Sequence, residues 1–114
     1  MSKSPITCHV LDSSTGKPAE GVEIRLQSFT DEFTLLASGV TNSDGRCLDL
    51  LSPSVTVAPG IYKIIFATKE YLAKTNRKCF YPWVDITFEI ENPGEHYHIP
   101  LLISPYSFTT YRGS

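Results

Sequence analysis

The chain has little excess of either charge. Ten lysines and arginines stand against twelve aspartates and glutamates, giving a formal charge of −2 and a pI near 5.9. With no block of like charge there is no electrostatic footprint for DNA, RNA or an anionic bilayer, so neither nucleic acid nor a membrane surface is expected as a partner. Long apolar runs are missing too: nothing approaches the roughly 18 to 20 residues that a membrane helix needs. The opening Met1-Ser2-Lys3-Ser4-Pro5 is too short and too polar for the apolar part of a signal peptide, so secretion is not expected. Cysteine is scarce. Cys8, Cys47 and Cys79 form no Cys-x-x-Cys pair and leave an odd count, which argues against a disulfide framework and fits buried thiols in a reducing compartment.

Several catalytic signatures are absent as well. There is no Gly-x-Ser-x-Gly elbow, no glycine-rich phosphate loop and no calcium-loop spacing. Cys8 and His9 are neighbours on a presumptive strand, so their side chains point to opposite faces and cannot pair as nucleophile and base; the same holds for Arg46 and Cys47. No fixed-period repeat, low-complexity tract or linker divides the chain, and residues 1–114 read as one domain. At 114 residues and 41% apolar content that domain can bury roughly two-thirds of its unfolded surface.

What the sequence does contain is alternation. Val22, Ile24 and Leu26 alternate with Glu23, Arg25 and Gln27; Val84, Ile86, Phe88 and Ile90 alternate with Asp85, Thr87, Glu89 and Glu91. Tyr97, Ile99, Leu101 and Ile103 alternate with His96, His98, Pro100 and Leu102 in the same way. Period two is the mark of a strand with one face in a core. Between these runs lie the turn signals Ser14-Thr15-Gly16-Lys17-Pro18, Asn42-Ser43-Asp44-Gly45, Ala58-Pro59-Gly60 and Asn92-Pro93-Gly94-Glu95, at a spacing that suits short antiparallel strands. Only Thr68 to Thr75 has the composition of a helix, and at two turns it needs packing from the sheets. About seven or eight short strands with one short helix make an all-β sandwich.

Four polar residues sit where chemistry could occur. In Ile6-Thr7-Cys8-His9-Val10-Leu11-Asp12, Ile6, Cys8 and Val10 face one way and Thr7, His9 and Leu11 the other, which puts His9 on the less buried face. A neutral imidazole there can accept a proton from water or simply be a hydrogen-bonded surface group. His96 and His98 share a strand face at a separation of roughly 7 Å, close enough to meet one ligand or one metal ion. A zinc site would need a third ligand from His9 or from a distant cysteine or carboxylate, and nothing local supplies it, so no metal and no cofactor are expected. Arg46 follows the Asp44-Gly45 turn at a strand start, where its rigid fork of donors either holds a planar polar heterocycle or lies exposed beside the hairpin.

The end of the chain, from Pro105 to Ser114, stays rich in aromatic and β-favouring residues nearly to the last position, unlike a frayed tail. A terminal strand would deliver Tyr111, Arg112, the Ser114 hydroxyl and the α-carboxylate within a few residues of one another, or it is an ordinary edge strand with a polar end.

These segments, in order, resemble the motifs of the transthyretin-like 5-hydroxyisourate hydrolases. The likeness rests on Ile6-Thr7-Cys8-His9-Val10-Leu11-Asp12, on Asp44-Gly45-Arg46-Cys47, on His96 to Pro105, and on Tyr111-Arg112-Gly113-Ser114. Gly60-Ile61-Tyr62-Lys63 and Phe80-Tyr81-Pro82 are similar to the same pattern, so the likeness spans nearly the whole chain. Departures occur at Cys8, where a small hydroxyl residue is more usual, and at Phe108, where tyrosine is frequent.

The resemblance implies a sandwich of two four-stranded sheets with one short helix, assembled as a homotetramer with active sites at the dimer–dimer interface. It implies hydrolysis of the ring amide of 5-hydroxyisourate in urate degradation. His9, Arg46 and His98 would be the catalytic residues, and His9, Arg46, Tyr111 and Ser114 would bind the substrate. The alternative is the family's other branch, carriers of small aromatic ligands such as thyroid hormone, which lack the two histidines, the arginine and the terminal tetrapeptide. A cytoplasmic location is expected, with the peroxisome as alternative, although Arg112-Gly113-Ser114 does not read as a Ser-Lys-Leu address.

Overall fold

The computed structural model describes residues 4–114. Nine strands and one helix follow one another: β1 (Ile6–Asp12), β2 (Lys17–Pro18), β3 (Glu23–Phe29), β4 (Phe33–Val40), β5 (Arg46–Cys47), β6 (Gly60–Phe66), α1 (Thr68–Ala73), β7 (Val84–Ile90), β8 (Tyr97–Ser104) and β9 (Ser107–Thr110). They form two sheets. One has the order β4-β3-β6-β7 and is antiparallel throughout. The other runs β2-β1-β8-β9, with β5 also paired to β1.

The period-two pattern does what it promised. Ile6, Cys8 and Val10 of β1 and Tyr97, Ile99, Leu101 and Ile103 of β8 are buried against Ile24 and Leu26 of β3 and Tyr62, Ile64 and Phe66 of β6. The interior of the sandwich is therefore apolar, and the alternate residues of β1 and β8 are turned to the outer face of their sheet.

Two features differ from the sequence-based picture. The sheet that holds β1 has five members, not four, because β8 takes one edge of β1 along its whole length while the two-residue strands β2 and β5 share the other. Strands that short, each beginning or ending at a turn, leave no alternation to read. Secondly, β1 and β8 are parallel, with Thr7 opposite His98 and His9 opposite Pro100. All other pairs are antiparallel. A parallel pair needs a long crossover, and here almost the entire chain between the two strands serves as one.

The helix ends at Ala73, two residues before the expected limit, and the chain then turns through Asn76 at φ 57°. It has no side-chain cap, and six residues cannot hold a helix alone. Burial of Leu72, contributing about 1.5 to 3 kcal/mol, fixes it to the sandwich. A polar cluster does the rest: the buried Asp12 carboxylate accepts from Arg77 Nη2 at 2.7 Å and from the Tyr71 hydroxyl at 3.1 Å, tying α1 and the turn after it to the end of β1. Cys8 and Cys47 are buried and Cys79 is half-buried, all as free thiols. No helix of the described residues is long and apolar enough to cross a membrane.

Candidate active site

The outer face of the β1/β8 sheet gathers the polar residues singled out above. His9 stands on β1, and directly opposite it, across the antiparallel pair, β5 presents Arg46. The turn before β5 explains that placement. Asn42 Oδ1 accepts from the backbone of Asp44 at 2.9 Å and of Arg46 at 3.0 Å, an Asx turn that closes the hairpin locally. Gly45 has φ +73°, and a Cβ on it would lie 2.4 Å from the Val10 carbonyl oxygen. Only glycine lets the turn lie this close to β1 and set Arg46 beside His9.

On the other edge of β1, β8 brings His98. The His9 and His98 rings have centroids 6.4 Å apart at an interplanar angle of 30°, and His98 and His96 are likewise 6.4 Å apart at 19°. Imidazole, imidazole and guanidinium thus lie across three neighbouring strands, half-buried on the outer face. Burial lowers the pKa of His9 from its ordinary value, and the nearby Arg46 charge lowers it further, while Asp44 pulls in the opposite direction. A histidine so placed is neutral at pH 7 and can accept a proton.

The sequence reading passed over Thr7. Its hydroxyl lies 2.7 Å from His98 Nδ1 and 2.9 Å from His96 Nε2, and the residue is only 3% exposed. Its membership of the His9 face was legible from alternation alone. Its position opposite His98 depends on the parallel register, which no local pattern announces.

The C-terminal segment folds back on the same strand. The Gly113 amide donates to the His98 carbonyl at 2.9 Å, and a Cβ at Gly113 would meet His98 Cδ2 at 2.6 Å and Pro100 Cγ at 3.1 Å. Arg112 holds this turn from outside, with Nη2 3.0 Å from Glu95 Oε1 and its guanidinium 4.5 Å above the Tyr97 ring. Ser114 is exposed one residue past the bridge. Tyr111 is exposed and borders a cleft of about 260 Å³ with Ile86, Phe88 and His98. A larger cavity of about 410 Å³ lies elsewhere, lined by Glu23, Arg25, Ile65 and Trp83, and contains none of these groups. Among the described residues no set of three or more His, Cys, Asp or Glu is arranged to hold a metal ion.

The model of the HIUase/Transthyretin family matches residues 6–113. The chain belongs to that family. It is 44% identical to the 5-hydroxyisourate hydrolase of Mus musculus, over 97% of this chain and 96% of that protein. Among solved structures, the 5-hydroxyisourate hydrolase of Klebsiella pneumoniae is 38% identical with a TM-score of 0.82, covering 96% of this chain and 98% of that one. Sea bream transthyretin in complex with thyroxine superposes with a TM-score of 0.89 at 29% identity, covering 96% and 95%. The backbone of this chain is thus shared with both a 5-hydroxyisourate hydrolase and a thyroxine-bound transthyretin.

Proposed function

We propose that the chain is a 5-hydroxyisourate hydrolase, opening the ring amide to 5-hydroxy-2-oxo-4-ureido-2,5-dihydro-1H-imidazole-5-carboxylate in urate degradation. The observation that carries this reading is the row Arg46, His9, His98 across β5, β1 and β8, in a chain with 44% identity to a hydrolase relative. The likeness to sea bream transthyretin reflects the shared fold: a carrier of aromatic ligands needs an apolar lining, whereas this face presents two imidazoles and a guanidinium.

In this mechanism His9 and His98 position a water and remove its proton, which is worth about 10² to 10⁴-fold. The hydroxide attacks the ring carbonyl. Arg46 holds the polar edge of the heterocycle and stabilises the oxyanion as it forms. Tyr111 and Ser114 close the pocket from the tail that Gly113 anchors beside His98. The half-buried, open character of the face supports a homotetramer in which a second copy covers it. The unpaired thiols support a cytoplasmic enzyme.

The test is the loss of ultraviolet absorbance of freshly generated 5-hydroxyisourate. Decay faster with the protein than without it, and slowed by about 10²-fold or more in His98→Ala and Arg46→Ala, is the expected result. Equal decay with and without protein overturns the proposal, and tight thyroxine binding in its place installs the carrier.

A further inference from the structure

We propose that Thr7 is a positioning residue that couples His98 to His96, so that the proton taken at the catalytic histidine comes to rest on the second one. The inference rests on the hydrolase reading and deepens it.

The argument begins with a count of hydrogens. The Thr7 hydroxyl makes two ring contacts, 2.7 Å to His98 Nδ1 and 2.9 Å to His96 Nε2, but has one proton to give. The two ring nitrogens therefore cannot both accept from Thr7, and at least one must donate to it. In two arrangements of neutral rings one nitrogen donates and the other accepts. In the first, His98 donates from Nδ1 and Thr7 donates to His96, which makes Nε2 of His98 basic toward the substrate. In the second, His96 donates and Thr7 gives its proton to His98, whose Nε2 then bears hydrogen. The hydroxyl thus forbids the two rings from choosing tautomers independently. Thr7 is itself immobilised by burial and by the β1/β8 register that sets it opposite His98.

Taking up one proton carries the first arrangement into a charged form of the second, in which His96 bears hydrogen on both ring nitrogens. As Nε2 of His98 takes a proton from water, Nδ1 of His98 gives its proton to Thr7, and the Thr7 hydroxyl proton moves to Nε2 of His96. Hydroxide remains to attack the carbonyl, and the positive charge stands on His96. When the ring carbon–nitrogen bond breaks, the path runs backwards and the leaving nitrogen takes its proton from Nε2 of His98. Electrostatics favours this over a charge held on His98. Arg46 lies across β1 beside His9, whose ring is 6.4 Å from that of His98, and it already disfavours a cation at His9. His96 lies beyond Thr7, on the side away from the guanidinium.

The experiment compares Thr7→Val, which keeps the shape and removes the hydroxyl, with Thr7→Ser, which keeps the hydroxyl. We expect Thr7→Val to lower kcat by at least about tenfold, a share of the about 10² to 10⁴-fold owed to a positioned base, with KM little changed and the acid limb of the pH–rate profile displaced. Thr7→Ser should restore both. Independently of turnover, ¹⁵N spectra of the ring nitrogens should show one dominant His98 tautomer in the parent chain and in Thr7→Ser, and a mixture in Thr7→Val. Unchanged kcat and tautomer in Thr7→Val, or equal impairment in Thr7→Val and Thr7→Ser, overturns the coupling. A parent chain that does not hydrolyse 5-hydroxyisourate removes the hydrolase reading instead, and the ring spectra then decide the coupling alone.

Discussion

His9 and Arg46 are paired residues of adjacent antiparallel strands, and the guanidinium works with burial to keep the imidazole unprotonated. Burial is the larger cause and Arg46 the second. Because the folded-state pKa of His9 lies below its ordinary 6.5, the neutral form persists into weakly acidic solution, and under the proposed role of His9 activity should fall only below that ordinary value. Replacing Arg46 by Gln should raise the His9 pKa toward, though not fully to, the ordinary value. An NMR titration of the His9 ring in the two proteins checks this, and a His9 midpoint that does not rise in Arg46→Gln contradicts it.

Asp12 gives a prediction about acid stability. Burial alone would raise its pKa, but hydrogen bonds from Arg77, Ser14 and Tyr71 outweigh that and bring it from 3.8 to about 2. A carboxylate whose pKa is depressed in the folded state stabilises it fully above the unfolded value, and that contribution is lost as pH falls from about 4 toward 2. Arg77→Ala should cost up to about 2.5 kcal/mol at pH 7, the linkage worth of the whole Asp12 shift, and flatten the dependence of stability on pH in that window. Urea denaturation at pH 7 and pH 3 measures both quantities; a parallel loss at the two pH values would show that Arg77 acts by packing alone.

The tail offers a separation of catalysis from folding. Gly113→Ala introduces a Cβ that must push against His98 Cδ2 and Pro100 Cγ, yet it sits outside the sandwich interior. The expected outcome is a loss of kcat/KM of about tenfold or more, since displacements near 1 Å are that costly, with Tm nearly unchanged. A residue added after Ser114 should act in the same direction. Full activity in both variants would reduce the tail to an edge-strand end.

Legibility in the sequence followed the range of the forces involved. β3, β7 and β8 announced themselves because each has one face in the core, and alternation is a local record of that. Arg46 could be placed at a strand start because the Asn42 to Gly45 turn is built from its own residues. The end of α1 was less legible, since Leu72 and the Asp12–Arg77 pair hold it from outside. Thr7 was the hardest. Nothing in its neighbourhood distinguishes a threonine on the exposed face of a strand from one that bridges two histidines contributed by the far end of the chain.

The parallel pairing of β1 with β8 also has a meaning in time. Thr7 and His98 are 91 residues apart in sequence, so closing this contact carries nearly the largest loop entropy the chain can incur. Pairings of that range form late and slowly. Until β8 docks, His9 has no partner histidine and the row of Arg46, His9 and His98 is unfinished. Turnover should therefore lag behind the recovery of β-structure during refolding, making the enzyme's own activity a clock for the last strand to arrive.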